Sequence, residues 1–301
     1  MIPRLDAAAI AAQDPATLAQ LAEAATGVGF FTVHGTALSG ARVEQAIETY
    51  RAFFHLDEAQ KRAVDMAATG ANRGWGRAGS EQVDPQVNPD YKQYFDCGFQ
   101  VPRDDPRSAL PVYAPNLWPD EPARFAAIIG AYYTDACAVA MDVLRGIAGA
   151  IGAPRDHFDQ AFDTPMALLR GNFYPARPAW ATDRDFGIAT HTDYGCLTLL
   201  AMDGSPGLEV RTRGGGWIPV SAPPGEFVIN FGEMMEMWTG GRVRATPHRV
   251  IGTDAERISV PLFFNPNVDT NVARMGSGEE IRAGDHLQRR FSETYVHLKT
   301  G

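Results

Sequence analysis

The stretch "HTDYGCLTLL" at 191–200 sets an imidazole and a carboxylate two positions apart, directly ahead of an apolar run. His191 and Asp193 in that setting suit a metal site at a strand mouth, and they equally suit an ordinary polar turn. A third group sharpens the choice. His248, in "GGRVRATPHRVI", follows a Gly-Gly turn and falls on a predicted strand 55 residues beyond Asp193. Two imidazoles and one carboxylate hold a divalent first-row metal without thiolate, and three protein ligands leave positions open, the facial arrangement of non-haem Fe(II) oxygenases. The two strands need only be adjacent for the three side chains to converge. The competing reading makes His248 a hydrogen-bonded core residue. The chain has seven histidines in all. Of the others, His55, His286 and His297 are expected to have surface or capping roles, His157 reads as a helix start, and His34 ends a strand.

Nine residues after His248 comes Arg257, in "ERISVPLFF". Strand side chains alternate with period two, so Arg257 and Ser259 share a face and together can clamp a carboxylate. Phe263 lies on that same face and is expected to wall a pocket, unless it is plain core. Upstream, "RGNFYP" puts Asn172 and Tyr174 on one face of another strand, each with a polar tip. A fourth motif misleads. "GWGRAG" (74–79) has the spacing of a dinucleotide-binding glycine loop, but turn material precedes it and loop material follows, where a strand and a helix are needed. A loop over a site is the expectation there.

These residues need a scaffold. From Met166 onward the chain reads as about eight short strands between Gly, Pro and Asp turns: "MALLRGNFY", "GIATH", "CLTLLAMD", "GLEVRT", "GWIPV", "EFVINFG", "ATPHRVI" and "ISVPLFFNP". That pattern predicts a closed or double-sheet β fold such as a jelly roll. The first half is mostly helical. Helices are expected over 16–26 and 39–56, with a short one in "LDEAQKRAVDM", and a strand in "GFFTVHG". A long helix is expected from about Asp120 to Ile151 with Pro122 in its first turn. The tail "DHLQRRFSETYVHL" has Leu287, Phe291, Tyr295 and Leu298 at helical spacing and should pack back on the body. The loop from 69 to 90, with four glycines, two prolines and two asparagines, is expected to cover a site mouth and to be more mobile than the β core. The fold class is therefore mixed α and β, a double-stranded β-helix (jelly roll) core flanked by helices. No linker separates its parts, so one domain is expected, with residues 1–120 as an N-terminal region and 121–301 holding the long helix, the β core and the C-terminal helix.

The 301 residues and 45% hydrophobic content permit a sizeable core. A net charge of -9 argues against nucleic acid as a partner, since phosphate binding needs a basic face. The apolar stretch 126–152 carries Asp135, Asp142 and Arg145 and reads as a buried helix, not a membrane span. No signal peptide is read at the N-terminus. Three widely spaced cysteines suggest neither a zinc pattern nor a disulfide framework, so a cytoplasmic location is expected.

"HTD" at 191–193, "PHRV" at 247–250, "RIS" at 257–259 and "NFYP" at 172–175 together resemble the iron- and 2-oxoglutarate-dependent dioxygenases of the isopenicillin N synthase type. "NFGEMMEMWTGGRVRATPHRV" is similar to that family's approach to its second histidine. "RGW", "GSE" and "DYKQYFDCGF" are similar to its N-terminal region. The resemblance extends over most of the chain. It implies Fe(II) on His191, Asp193 and His248. It implies the distal carboxylate of 2-oxoglutarate on Arg257 and Ser259, helped by Tyr174, with Asn172 beside the keto-acid end. It implies oxidative decarboxylation to succinate and CO2 coupled to oxidation of a small organic substrate by O2, with hydroxylation, desaturation and cyclisation all open. Two alternatives stand beside it: a relative that uses O2 without 2-oxoglutarate, as isopenicillin N synthase does, and a metal-binding cupin-like jelly roll that performs no oxygenation.

Overall fold

The computed structural model describes residues 2–68, 71–82, 88, 90–177, 179, 181–182, 187–274 and 276–294. Among the described residues twelve strands run in chain order: β1 (Arg4–Asp6), β2 (Phe30–His34), β3 (Gly74–Gly76), β4 (Gln93–Gly98), β5 (Leu168–Tyr174), β6 (Ile188–His191), β7 (Leu197–Met202), β8 (Leu208–Arg211), β9 (Trp217–Pro219), β10 (Phe227–Phe231), β11 (His248–Val250) and β12 (Arg257–Phe264). They form an eight-stranded sheet, in the order β1-β2-β10-β7-β12-β5-β4-β3, and a four-stranded sheet, in the order β6-β11-β8-β9. The pairings are antiparallel except for β1 with β2. This is the expected jelly roll, two sheets facing each other and flanked by helices.

All eight strands expected between 166 and 266 are present, each within two or three residues of the expected ends. Central strands such as β5 and β7 are buried along their whole length, because sheet and helices cover both faces. The long helix is Phe125–Ala150, so it begins three residues after Pro122 and does not contain it. The cause is local. Arg124 takes a left-handed conformation (φ 66°), which no helical turn accommodates. By length and composition this helix is apolar enough to cross a membrane. Here it packs on β7, β12 and the helix Gly40–Phe54. At that seam Tyr50, Phe53, Phe95 and Phe125 form an aromatic cluster with ring centroids 4.9–6.3 Å apart.

The segment 69–90 differs from the expected loop. Residues 69–70, 83–87 and 89 lie outside the described residues. Within the described part, Gly74–Gly76 is a buried edge strand, β3, paired with β4. Glycine is needed there because a Cβ on Gly76 would sit 2.1 Å from the Tyr94 ring. The tail helix spans Ala283–Thr294, and the expected contributions of Tyr295, His297 and Leu298 lie outside the described residues.

Candidate active site

His191 ends β6 and His248 begins β11, and the two are direct cross-strand partners. Their ring centroids are 4.3 Å apart. Asp193 stands two residues past the end of β6. Its Oδ1 is 3.8 Å from His191 Nε2 and 3.7 Å from His248 Nε2. The three ligand atoms lie within 4.8 Å of one another. Two bonds of about 2.1 Å to a common ion span up to about 4.2 Å, a limit that both carboxylate–imidazole distances meet.

The surroundings fix which atoms face that point. His191 Nδ1 is 2.8 Å from the Ala189 carbonyl and His248 Nδ1 is 3.1 Å from the Thr246 carbonyl. A carbonyl only accepts, so each Nδ1 carries the proton and each Nε2 presents a lone pair. Asp193 Oδ2 accepts from Thr198 Oγ1 at 2.5 Å and from Asn230 Nδ2 at 2.6 Å. Thr198 on β7 and Asn230 on β10 are cross-strand partners, so a single rung of the large sheet orients the carboxylate and leaves Oδ1 facing the imidazoles. Burial, with His248 next to it, pushes the His191 imidazole down to about 4, which keeps it neutral at physiological pH. Burial acts to raise the Asp193 carboxyl. The two imidazoles and the bonds from Thr198 and Asn230 outweigh it, and the net shift is downward. The turn after Asp193 is tightly wedged: a Cβ on Gly195 would meet Asn265 Oδ1 at 1.8 Å, and one on Gly232 would meet the Asp193 carbonyl at 2.6 Å.

A second group lies across β5 and β12. Arg257 pairs with Tyr174, and Ser259 with Asn172, in register. The Arg257 guanidinium lies 4.9 Å from the centre of the Tyr174 ring. It is 2% exposed, yet Nε and Nη1 have no hydrogen-bond partner, and neither does Asn172 Oδ1. An unpaired buried guanidinium is costly, and a bound carboxylate removes the cost. These residues therefore fit the far carboxylate of a keto acid.

A cavity of about 740 Å³ opens from His191 and Asp193. Phe263 lines it, as strand alternation implies, and so does Asn172. Two features of its wall are not foreseen from the sequence. One is a buried ionic network. Arg170 Nε and Nη2 donate to the two oxygens of Asp96 at 2.7 and 2.6 Å, and Nη1 donates to Glu81 at 2.6 Å. Lys92 donates to the other Glu81 oxygen and lies 3.6 Å from Asp90. Burial would raise the Glu81 carboxyl, but Arg170 and Lys92 hold it down at about 2. Asp90 goes the other way: burial, joined by Glu81, pushes it up to about 7 against the pull of Lys92. The signal for this network is "DYKQYFD", where Tyr94 and Asp96 share one face of β4 and Lys92, just before the strand, continues the same alternation.

The other feature is the C-terminal helix. It supplies Leu287, Gln288, Arg289 and Phe291 to the cavity. His286, expected at the surface, is 4% exposed, and its Nε2 is 3.1 Å from the Tyr194 carbonyl. Glu233 Oε1 accepts from Thr192 Oγ1 at 2.8 Å and from Arg290 Nη2 at 3.2 Å, so the helix is tied to the turn that carries Asp193.

Comparison with known proteins agrees with this geometry. Residues 165–266 match the family described as the 2OG-Fe(II) oxygenase superfamily, and residues 2–121 match the non-haem dioxygenase in morphine synthesis N-terminal family. The chain is 32% identical to homoarginine-6-hydroxylase 2-ODD-C23 of Glycine max, over 95% of this chain and 92% of that protein. It is 31% identical to the 2-oxoglutarate-dependent dioxygenase tropC of Talaromyces stipitatus, over 88% of this chain and 85% of the relative. Among solved structures it is similar to a full-length Neurospora crassa protein crystallised in complex with alpha-KG. That match has a TM-score of 0.85 and 26% identity, over 97% of this chain and 96% of the other.

Proposed function

Because this chain belongs to the family of Fe(II)- and 2-oxoglutarate-dependent dioxygenases, we propose that His191, Asp193 and His248 hold its iron and that Arg257 holds the far carboxylate of its 2-oxoglutarate. The protein is an oxidoreductase that oxidises a small organic molecule with release of succinate and CO2. The alternatives of a 2-oxoglutarate-free oxidase and of a cupin-like protein without oxygenase activity give way to this membership. Hydroxylation is the outcome we favour, supported by relatives named as homoarginine-6-hydroxylases.

The observation that carries the residue assignment is the buried Arg257 with two unpaired donors, set one rung from Ser259 and Asn172. Fe(II) with 2-oxoglutarate and O2 supplies the oxidant for a substrate C–H bond. The chain's own residues do the rest. His191 and His248 turn their Nε2 atoms toward the metal because backbone carbonyls hold Nδ1–H. Thr198 and Asn230 keep Asp193 ionised and aimed. Arg257 and Ser259 anchor one carboxylate, and Tyr174 packs its ring on the guanidinium. Phe263 and the C-terminal helix wall the substrate side.

The test is anaerobic titration of the Fe(II) protein with 2-oxoglutarate, read by its visible charge-transfer band, in wild type and Arg257→Gln. Saturable binding in the wild type that is lost in the variant supports the assignment. Equal binding in both overturns it.

A further inference from the structure

Arg73 is a second buried cation that the reaction as described leaves unused. It is 2% exposed and lines the cavity. Its guanidinium donates only to backbone carbonyls: Nη1 to Asn72 at 2.8 Å, and Nη2 to Val112 at 2.7 Å and Phe99 at 3.4 Å. Nε has no partner, and neither does Oδ1 of the adjacent Asn72, which also lines the cavity. Arg170 and Lys92, the other buried cations of this wall, are both matched by carboxylates. Arg73 makes no ion pair among the described residues, and nearby Asp96 is already gripped at both oxygens by Arg170. A buried charge without a matching carboxylate is expensive.

Its place in the fold matters too. Arg73 sits at the Gly98–Phe99 end of β4, and Gly98 pairs with Leu168 at the start of β5. Arg257 pairs with Tyr174 at the other end of β5. At about 3.4 Å per residue the two guanidinium groups bracket roughly 20 Å of strand. The cavity runs along the stretch between them, past Leu168, Arg170 and Asn172.

We propose that Arg73, with Asn72 beside it, binds the carboxylate of the prime substrate, which is therefore an organic acid held at the end of the cavity remote from 2-oxoglutarate. A half-turn of the Asn72 amide exchanges its oxygen for its N–H donors at no change of shape, so both residues then donate to the acid. Charge-assisted bonds are the strong ones. The carbonyl bonds of Arg73 already explain its two terminal nitrogens as a staple between 72, 99 and 112. They leave Nε, the atom assigned here to the substrate, unexplained.

This inference rests on the dioxygenase reading and deepens it, and one experiment separates the two. The Fe(II) protein is first saturated with 2-oxoglutarate under anaerobic conditions, which fills the Arg257 site. Phenylacetate, 3-phenylpropionate and 4-phenylbutyrate are then titrated in, each against its neutral amide, and followed by calorimetry and by perturbation of the charge-transfer band. The wild type should prefer at least one acid over its amide by roughly tenfold or more. Arg73→Gln should abolish that preference while 2-oxoglutarate binding stays unchanged. Should Arg73→Gln fail to fold, Asn72→Asp keeps the backbone staple, puts a negative charge on the cavity wall next to Arg73 in the chain, and should abolish the preference equally. No acid preference in the wild type, or a preference that survives either variant, overturns the proposal. Acid binding that depends on Arg73 in a protein that shows no band with 2-oxoglutarate sinks the cofactor assignment and leaves this one standing.

Discussion

Arg257 and Arg170 are both buried guanidinium groups, on neighbouring strands of one sheet, and they are treated oppositely. Arg257 has two donors with no partner. Arg170 is gripped by Asp96 at both oxygens and by Glu81, with the Tyr94 ring 4.1 Å beneath it. The difference separates two uses of buried charge. A cation whose partners are built into the chain is framework: its desolvation is offset at folding, and removing one member strands the rest. A cation left short of partners stores that cost until a ligand arrives, so its removal is felt in binding. By this criterion Arg73 sides with Arg257.

The sharpest way to break the comparison is to truncate both arginines. Arg257→Gln should weaken 2-oxoglutarate binding by about 3–5 kcal/mol, the cost of leaving a buried carboxylate unpaired, with little loss of fold stability. Arg170→Met should invert that pattern. It leaves the buried Asp96 without a cation and Glu81 with Lys92 alone, and urea unfolding should show a loss of about 3–5 kcal/mol while 2-oxoglutarate still binds. If Arg170→Met abolishes 2-oxoglutarate binding in a protein that remains folded, the division between framework and ligand charge fails.

A smaller effect probes the metal end. Asn230 donates to Asp193 Oδ2, the oxygen away from the one nearest the imidazoles. Asn230→Ala should lower Fe(II) affinity about 10–100-fold, as loss of an outer hydrogen bond to a ligating carboxylate does. Titration of the apo-protein measures it. An unchanged affinity would mean that Thr198 alone orients the carboxylate.

The same contrast explains what the sequence can tell. His191, Asp193 and His248 are readable because the metal-ligand set proposed for them imposes residue types at strand mouths. Arg257, Ser259, Asn172 and Tyr174 are readable because period-two alternation puts each pair on one face, and the register then joins the pairs. The strands from 166 to 266 stand out between their turn residues. The β4 strand does not, because Lys92 and Asp96 face inward, and an inward polar face is written in the same letters as a solvated one. Its partners Arg170 and Glu81 are 74 and 15 residues from Asp96, and no local pattern announces such a network. The tail helix is expected to pack on the body. That Leu287 and Phe291 serve as cavity wall, and that His286 is buried, depends on where the helix docks, which periodicity does not specify.

The smallest expected effect tests a group on the border between the two uses. Asp90 belongs to the network by position, 3.6 Å from Lys92, yet its Oδ2 has no hydrogen bond and its carboxyl titrates at about 7. In the unfolded chain an aspartate loses its proton near 4. Between about 4 and 7 the folded protein therefore holds a proton that the unfolded chain has released. Stability should fall as pH rises through that window and stay at the lower level above it. Glu81 has the opposite sign. Its folded value of about 2 lies below the unfolded one, so its contribution is present above about pH 4.5 and is lost only as pH falls toward 2. Asp90→Asn keeps an acceptor for the Ala189 N–H, which reaches Asp90 Oδ1 at 3.4 Å, and carries no charge. Wild type and variant should unfold alike in urea at pH 4, and at pH 8 the variant should be the more stable. A variant less stable at pH 8 would make Asp90 an ionised partner of Lys92, bound into the framework as firmly as Asp96 is by Arg170.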